Sequence, residues 1–175
     1  MKPKPNTFAY IDGANLHRGV KSLGWKMDYG RFRTWLADKY GVSSAYIFIG
    51  YVSKNRNLYT YLQKAGFTLV FKDVVYDGRG KVKGNCDADL IVQVMRDSFE
   101  SKNMSAVLVS SDGDYQPLIE FLQERGQIKD IVSPAPAKKC SVLLKRTQVP
   151  IVYINDQKRI LKVQKEKAPG RDGLD

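Results

Sequence analysis

Short apolar runs take turns with helix-spaced segments along this chain, and that alternation is the strongest limit on its fold. Phe8-Ala9-Tyr10-Ile11, Ala45-Tyr46-Ile47-Phe48-Ile49, Thr68-Leu69-Val70-Phe71, Ala106-Val107-Leu108-Val109, Asp130-Ile131-Val132 and Ile151-Val152-Tyr153-Ile154 read as strands. Residues 28–40 carry Tyr29, Phe32, Leu36 and Tyr40 at helical spacing, with Gly41 as a stop. Further helices are expected over 57–65, closed by Gly66, over 86–99 with Leu90, Ile91, Val94 and Met95 on one face, over 115–125 before Gly126, and over 138–147. Val74-Val75-Tyr76 either extends the third strand or, with the turn Asp77-Gly78-Arg79-Gly80, starts a hairpin. Strands alternating with helices imply an α/β chain with a mostly parallel central sheet and helices on both faces. Such sheets bind ligands beyond the carboxyl ends of their strands, near a switch in strand order. The loops after Ile11, Ile49, Phe71 and Val109 are therefore the ones to inspect.

The length, 175 residues, suits one domain, and 43% hydrophobic residues can fill a core. We expect a flexible start over 1–6, the domain over 7–156, and a charged, partly disordered tail over 157–175. Lys and Arg outnumber Asp and Glu by 29 to 18, a formal charge of +11. A domain this basic suits a polyanion, nucleic acid or an anionic surface, although excess lysine also serves solubility alone. No segment reaches the roughly 20 apolar residues of a membrane span, and no signal peptide is seen. Cys86 and Cys140 form neither a disulfide framework nor a zinc spacing, so a reducing cytoplasm fits best. One histidine, His17, leaves no HExxH motif and no histidine pair. Oligomeric state is not fixed by the sequence, and a homodimer stays open.

Chemistry concentrates in carboxylates. Asp12-Gly13-Ala14-Asn15 follows the first strand, and Ser110-Ser111-Asp112-Gly113-Asp114 follows a later one. In each, a glycine after the carboxylate is expected to let the chain turn sharply. Carboxylates gathered at a sheet edge repel one another unless a cation sits between them, and hard oxygen donors suit Mg²⁺ or Mn²⁺ better than zinc. The plainer readings are that Asp114 caps the helix at Tyr115, that Asp112 is a turn residue, and that Asp12 merely ends a strand. A third segment is Lys83-Gly84-Asn85-Cys86-Asp87-Ala88-Asp89-Leu90. With Asn85 as N-cap, Asp87 and Asp89 fall in the first turn, where the helix dipole favours them without any ligand. They point roughly 200° apart. Asp87 heads the buried stripe of Leu90, Ile91 and Val94, whereas Asp89 shares the solvated face of Gln93 and Arg96. Asp87 is thus the favoured ligand and Asp89 a supporting or substrate-side group.

These motifs together resemble the NYN domain family, a branch of the PIN-like ribonucleases, and look closest to its LabA-like members. The resemblance rests on Asp12-Gly13-Ala14-Asn15-Leu16, on Lys83-Gly84 with Asp87-Ala88-Asp89-Leu90, and on Ser110-Ser111-Asp112-Gly113-Asp114-Tyr115, and covers roughly residues 7–155. It implies a PIN-like, Rossmann-like three-layer fold and a Mg²⁺- or Mn²⁺-dependent nuclease site. Asp12, Asn15, Asp87, Asp112 and Asp114 match the family's site positions. One departure stands out: many relatives carry a further acid where this chain has Gln93. If that acid matters, the site is weaker here, or Asp89 substitutes.

The reaction implied is metal-dependent hydrolysis of phosphodiester bonds in RNA, most readily single-stranded, with Asp12, Asp87, Asp112 and Asp114 holding the metal. Asn15 is expected to orient a carboxylate, a water or the phosphate, and Ser110 and Ser111 to donate to Asp112 or the phosphate. RNA is preferred to DNA by the resemblance alone. Arg18, Lys54, Arg56, Arg79, Lys81 and Lys83 flank the expected site, and Lys138, Lys139, Lys145 and Arg146 form a second basic cluster. Tyr51, Tyr59, Tyr76 and Tyr115 are candidates for stacking on bases, with core packing as the plainer role. The main alternative is a catalytically weak or inactive RNA-binding, regulatory module. The glycine-rich run at 78–84 misses both GxGxxG and GxxxxGK[ST], which disfavours dehydrogenase and NTPase readings. An aspartyl-phosphate phosphatase or receiver domain is disfavoured because Asp12 lacks a nearby DxD pattern.

Overall fold

In the computed structural model, which describes residues 6–80, 82–83 and 86–164, the apolar runs become strands much as expected. The first half contains β1 (Asn6–Asp12), α1 (Gly13–Ser22), α2 (Tyr29–Tyr40), β2 (Val42–Gly50), α3 (Arg56–Lys64), β3 (Phe67–Lys72), β4 (Val75–Tyr76) and β5 (Val82–Lys83). The second contains α4 (Asp87–Glu100), β6 (Met104–Val109), α5 (Gln116–Glu124), β7 (Ile128–Ser133), α6 (Val142–Arg146), β8 (Ile151–Tyr153) and α7 (Lys158–Leu161). Lys81 and Asn85, the expected N-cap, lie outside the described residues, as does the side chain of Lys83. Cys86 holds the N-cap position of α4 and makes no side-chain cap bond.

One six-stranded sheet runs in the order β3-β2-β1-β6-β7-β8, and each of its pairings is parallel. The chain winds outward from β1 to β3, then returns to the other side of β1 and winds outward again to β8. The order therefore switches between β1 and β6, which opens a crevice beyond their carboxyl ends.

A central parallel strand is covered on both faces, so its side chains must be apolar in both directions. Ala9 and Ile11 of β1, with Val107 and Val109 of β6, pack into one layer with Leu16, Phe32, Leu36 and Leu161 of α1, α2 and α7. Tyr10 and Leu108 point the other way and pack with Leu90, Val94, Leu118, Ile119 and Leu144 of α4, α5 and α6. Gly41 ends α2 in the left-handed conformation (φ 69°), as its place after the helical pattern requires.

Three details refine the sequence reading. Val75–Tyr76 does not prolong β3 but pairs antiparallel with Val82–Lys83, making the hairpin alternative the right one. The helix expected over 138–147 is confined to Val142–Arg146 and is capped by the Ser141 hydroxyl. Pro134 and Pro136 precede it, and the Pro136 carbonyl instead accepts from the N–H groups of Lys139 and Cys140 in a turn. The packed chain also continues beyond residue 156. Leu161 is buried, the Asp28 N–H donates to its carbonyl, and Met27 bridges to Lys162.

Candidate metal centre

At the carboxyl end of β1, Asp12 serves first as a cap. One of its oxygens accepts from the Asn15 N–H at 2.9 Å, which starts α1. The other accepts from the Tyr115 hydroxyl at 3.2 Å. Asp12 is 5% exposed. Burial raises its pKa above the ordinary carboxylate value and the nearby Asp87 charge pushes the same way, against the Asn15 N–H, the Tyr115 hydroxyl and Arg18.

Tyr115 is fully buried and its hydroxyl reaches a second carboxylate, Asp87, at 2.8 Å. Burial and the two carboxylates hold the phenol protonated. A hydroxyl has one proton to give. The one hydroxyl is thus shared between two carboxylates, with the shorter contact to Asp87.

The turn after β6 is tied to α1. The Asn15 side-chain oxygen accepts from the Ser111 N–H at 2.9 Å and from the Ser111 hydroxyl at 3.0 Å. The buried Ser110 hydroxyl accepts from the Asp112 N–H at 3.1 Å. Thus Asn15 orients Ser111, and Ser110 fixes the Asp112 backbone; neither serine donates to the Asp112 carboxylate. Asp112 accepts from the Asp114 N–H at 3.1 Å and caps a 3₁₀ turn, Gly113–Tyr115. The capping role that the plainer reading gave to Asp114 belongs to Asp112, because this extra turn intervenes before α5.

The two glycines earn their places differently from the sharp turns expected of them. Neither has a positive φ. A Cβ on Gly13 would lie 2.7 Å from the Phe48 carbonyl oxygen, and one on Gly113 would collide with the Ser141 side chain. Close approach of neighbouring elements, β2 in one case and the start of α6 in the other, excludes a side chain.

The structure gathers Asp87, Asp112 and Asp114: each offers a carboxylate oxygen, and these oxygens lie within 4.8 Å of one another. Together with Asp12 they line a cavity of 620 Å³ that Arg18, Asn55 and Cys86 also border. The donor set is entirely hard oxygen, which suits Mg²⁺ or Mn²⁺. Burial and the surrounding carboxylates push the Cys86 thiol up to about 11, so it stays protonated. Asp89 turns away and forms an ion pair with Lys72 at 3.0 Å. Gln93 donates to Asp97 at 2.9 Å.

Among the basic candidates with described side chains, Arg18 lines the acidic cavity. Lys54 and Arg56 flank Asn55 in the turn after β2, and Arg79 sits in the β4–β5 turn. Lys138 and Lys139 are exposed in the loop after β7. All of these segments follow carboxyl ends of strands or belong to the adjoining hairpin. Lys145 and Arg146 occupy the last turn of α6, where the Lys145 ammonium donates to the Ala137 carbonyl at 2.6 Å. Two tyrosines are unavailable for stacking: Tyr115 for the reasons above, and Tyr59, 5% exposed, whose hydroxyl bridges the backbone of Val52 and Gly50. Tyr51 and Tyr76 remain exposed.

The role of Tyr115 escaped sequence reasoning, although a signal was present. Tyr115, Leu118, Ile119 and Leu122 form an i, i+3, i+4, i+7 series, the same buried-stripe argument that selected Asp87.

The sequence matches the NYN domain family over residues 6–157. No curated protein matches it significantly. Among solved structures, a protein of unknown function, VPA0982, from Vibrio parahaemolyticus shares the fold, with a TM-score of 0.74 and 22% identity over 92% of this chain and 98% of that one.

Proposed function

The chain belongs to the NYN domain family, whose members are generally nucleases, and from that premise we propose that it is a Mg²⁺- or Mn²⁺-dependent endoribonuclease hydrolysing phosphodiester bonds of single-stranded RNA. The observation that carries this reading is the meeting of Asp87, Asp112 and Asp114 within 4.8 Å. Like charges held so close call for a cation. When bound, such an ion polarises a phosphoryl oxygen and lowers the pKa of a bound water.

The chain's own groups do the remaining work. Asp87, Asp112 and Asp114 would hold the ion, and Asp12 would supply the fourth acid. Tyr115 keeps Asp12 and Asp87 in fixed orientation through its single hydroxyl. Asn15 fixes the turn that carries Asp112. Arg18, in the cavity wall, attracts a phosphate oxygen. Lys54, Arg56, Arg79, Lys138 and Lys139 provide basic surroundings for the strand, with Lys145 and Arg146 as an outlying pair; Lys81 and Lys83 are assigned the same role by their place in the sequence. The preference for RNA and the kinship with LabA-like members rest on motif resemblance. Two free cysteines favour a reducing cytoplasm, and no described helix is long and apolar enough to cross a membrane.

An RNA-binding module without turnover is the second reading. It draws on Gln93, which stands where many relatives carry an acid, and on the engagement of Asp89 with Lys72, which keeps Asp89 from replacing that acid. Incubating the purified protein with labelled single-stranded RNA, in Mn²⁺ or in EDTA, separates the two. The nuclease reading expects Mn²⁺-dependent products that Asp112→Asn largely abolishes and Asp12→Asn clearly lowers. Binding without such products favours the module, and full activity in both variants removes the mechanism.

A further inference from the structure

Beside the acidic cavity lies a second one of 810 Å³, bordered by α1, the start of α2 and α3. His17, Tyr29 and Leu58 line both, so the two cavities adjoin. The second cavity lies within the roughly 300–1,000 Å³ typical of ligand sites. Its walls are apolar and aromatic. Tyr29 and Tyr61 meet edge to face with ring centroids 6.3 Å apart, and Trp25 closes one side, held by a 3.2 Å bond from its indole N–H to Asn155.

Tyr61 and Leu58 sit nearly one helical turn apart on α3 and are 44% and 36% exposed. Large apolar side chains left open beside a concave wall are what a flat aromatic ligand uses. The rim is cationic, with Lys21 and Lys26 lining it and Arg18 just across the shared boundary. Its one acid, Asp28, is already occupied: it caps α2 at the Arg31 N–H, pairs with the Arg31 guanidinium at 3.7 Å and accepts from the Tyr61 hydroxyl at 3.4 Å.

We infer that this cavity binds an unpaired base of the substrate strand, next to the nucleotide whose phosphate lies at the acidic cluster. The identity of the strand rests on the nuclease reading. A base stacks on the open face of Tyr61 and Leu58, and its flanking phosphates meet Lys21, Lys26 and Arg18. A base inside a duplex presents no free face and cannot enter a concave pocket. The pocket thereby makes single-strandedness a requirement of binding, where the basic surface alone would accept either form.

The test measures the affinity of a fluorescein-labelled short oligouridylate by anisotropy in EDTA, with the matching oligothymidylate and the oligouridylate–oligoadenylate duplex in parallel. Tyr61→Ala is expected to weaken single-strand binding about five- to a hundred-fold, with little change for the duplex. Tyr61→Phe, which keeps the ring and removes the hydroxyl from Asp28, is expected to stay near wild type. Leu58→Gln, at an already exposed position, is expected to lose affinity in the same direction but less. Unchanged single-strand affinity in both Tyr61→Ala and Leu58→Gln, or equal losses for strand and duplex, overturns the base pocket. Equal losses for oligouridylate and oligothymidylate support a pocket that reads unpaired bases irrespective of sugar. Mn²⁺-dependent cleavage by the wild type is scored separately, so a failed base pocket and a failed nuclease are told apart.

Discussion

Asp12 and Asp112 both follow central strands and line one cavity, yet their surroundings differ. Asp12 is 5% exposed, and both its oxygens accept hydrogen bonds, from Asn15 and from Tyr115. Asp112 is half-buried and lends an oxygen to its own turn while meeting Asp87 and Asp114. A carboxylate with access to solvent can exchange a ligand, whereas one enclosed by donors is chiefly positioned, and its burial favours the protonated form. The acids of one cavity thus divide into those open to solvent, which the proposed metal role suits, and one that is enclosed, with Tyr115 spanning the divide.

The sharpest way to break this division is to neutralise one acid of each kind. Asp112→Asn is expected to lower Mn²⁺-dependent cleavage by about a thousandfold, an effect of several kcal/mol, and to weaken Mn²⁺ binding measured by calorimetry. Asp12→Asn is expected to cost about 10- to 100-fold in cleavage with a smaller loss of Mn²⁺ affinity. Equal losses of Mn²⁺ affinity in the two variants would erase the distinction. Tyr115→Phe leaves two carboxylates without their shared donor. It is expected to lower stability by about 1–3 kcal/mol, read from denaturant unfolding, while leaving the sheet intact by circular dichroism.

The smallest effect concerns protons. Asp12 has a pKa above its ordinary value of 3.8, so the folded chain keeps this proton over a range in which the unfolded chain has lost it. Where the folded state binds more protons, stability falls as pH rises. In EDTA, the contribution of Asp12 is expected to decline from about pH 4 upward until its raised pKa is passed, and to level off beyond. Thermal melts of Asp12→Asn should show a shallower decline; an identical pH profile would mean that Asp12 is not held as described.

The strands were legible because burial on both faces demands unbroken apolar runs, and Asp12, Asp112 and Asp87 because strand ends and helix faces have fixed geometry. What escaped notice depended on contacts between distant segments. Nothing near Gly113 announces that Ser141 will press against it. Asn15 was expected to orient a carboxylate, a water or the phosphate, and nothing near it shows that its side-chain oxygen accepts from Ser111, 96 positions away. The helix α1 was also missed, since Leu16 and Val20 alone mark its buried face beside Gly13. The proline-interrupted loop before α6 misled in the opposite direction, because the pattern read from Lys138 onward began the helix ahead of its cap at Ser141.

The contact between Tyr115 and Asp12 joins residues 103 positions apart, and β1 gains its second neighbour only from β6. Synthesis proceeds from the N-terminus, and segments pack as their partners emerge. β1, β2 and β3 can pair early, but a nascent chain that has passed Asp87 still lacks Asp112, Asp114 and the phenol that orients Asp12. The proposed catalytic arrangement therefore has a birth date late in translation: half-made copies carry Asp12 and Asp87 without the centre, and it is complete only when the second half of the sheet closes on the first.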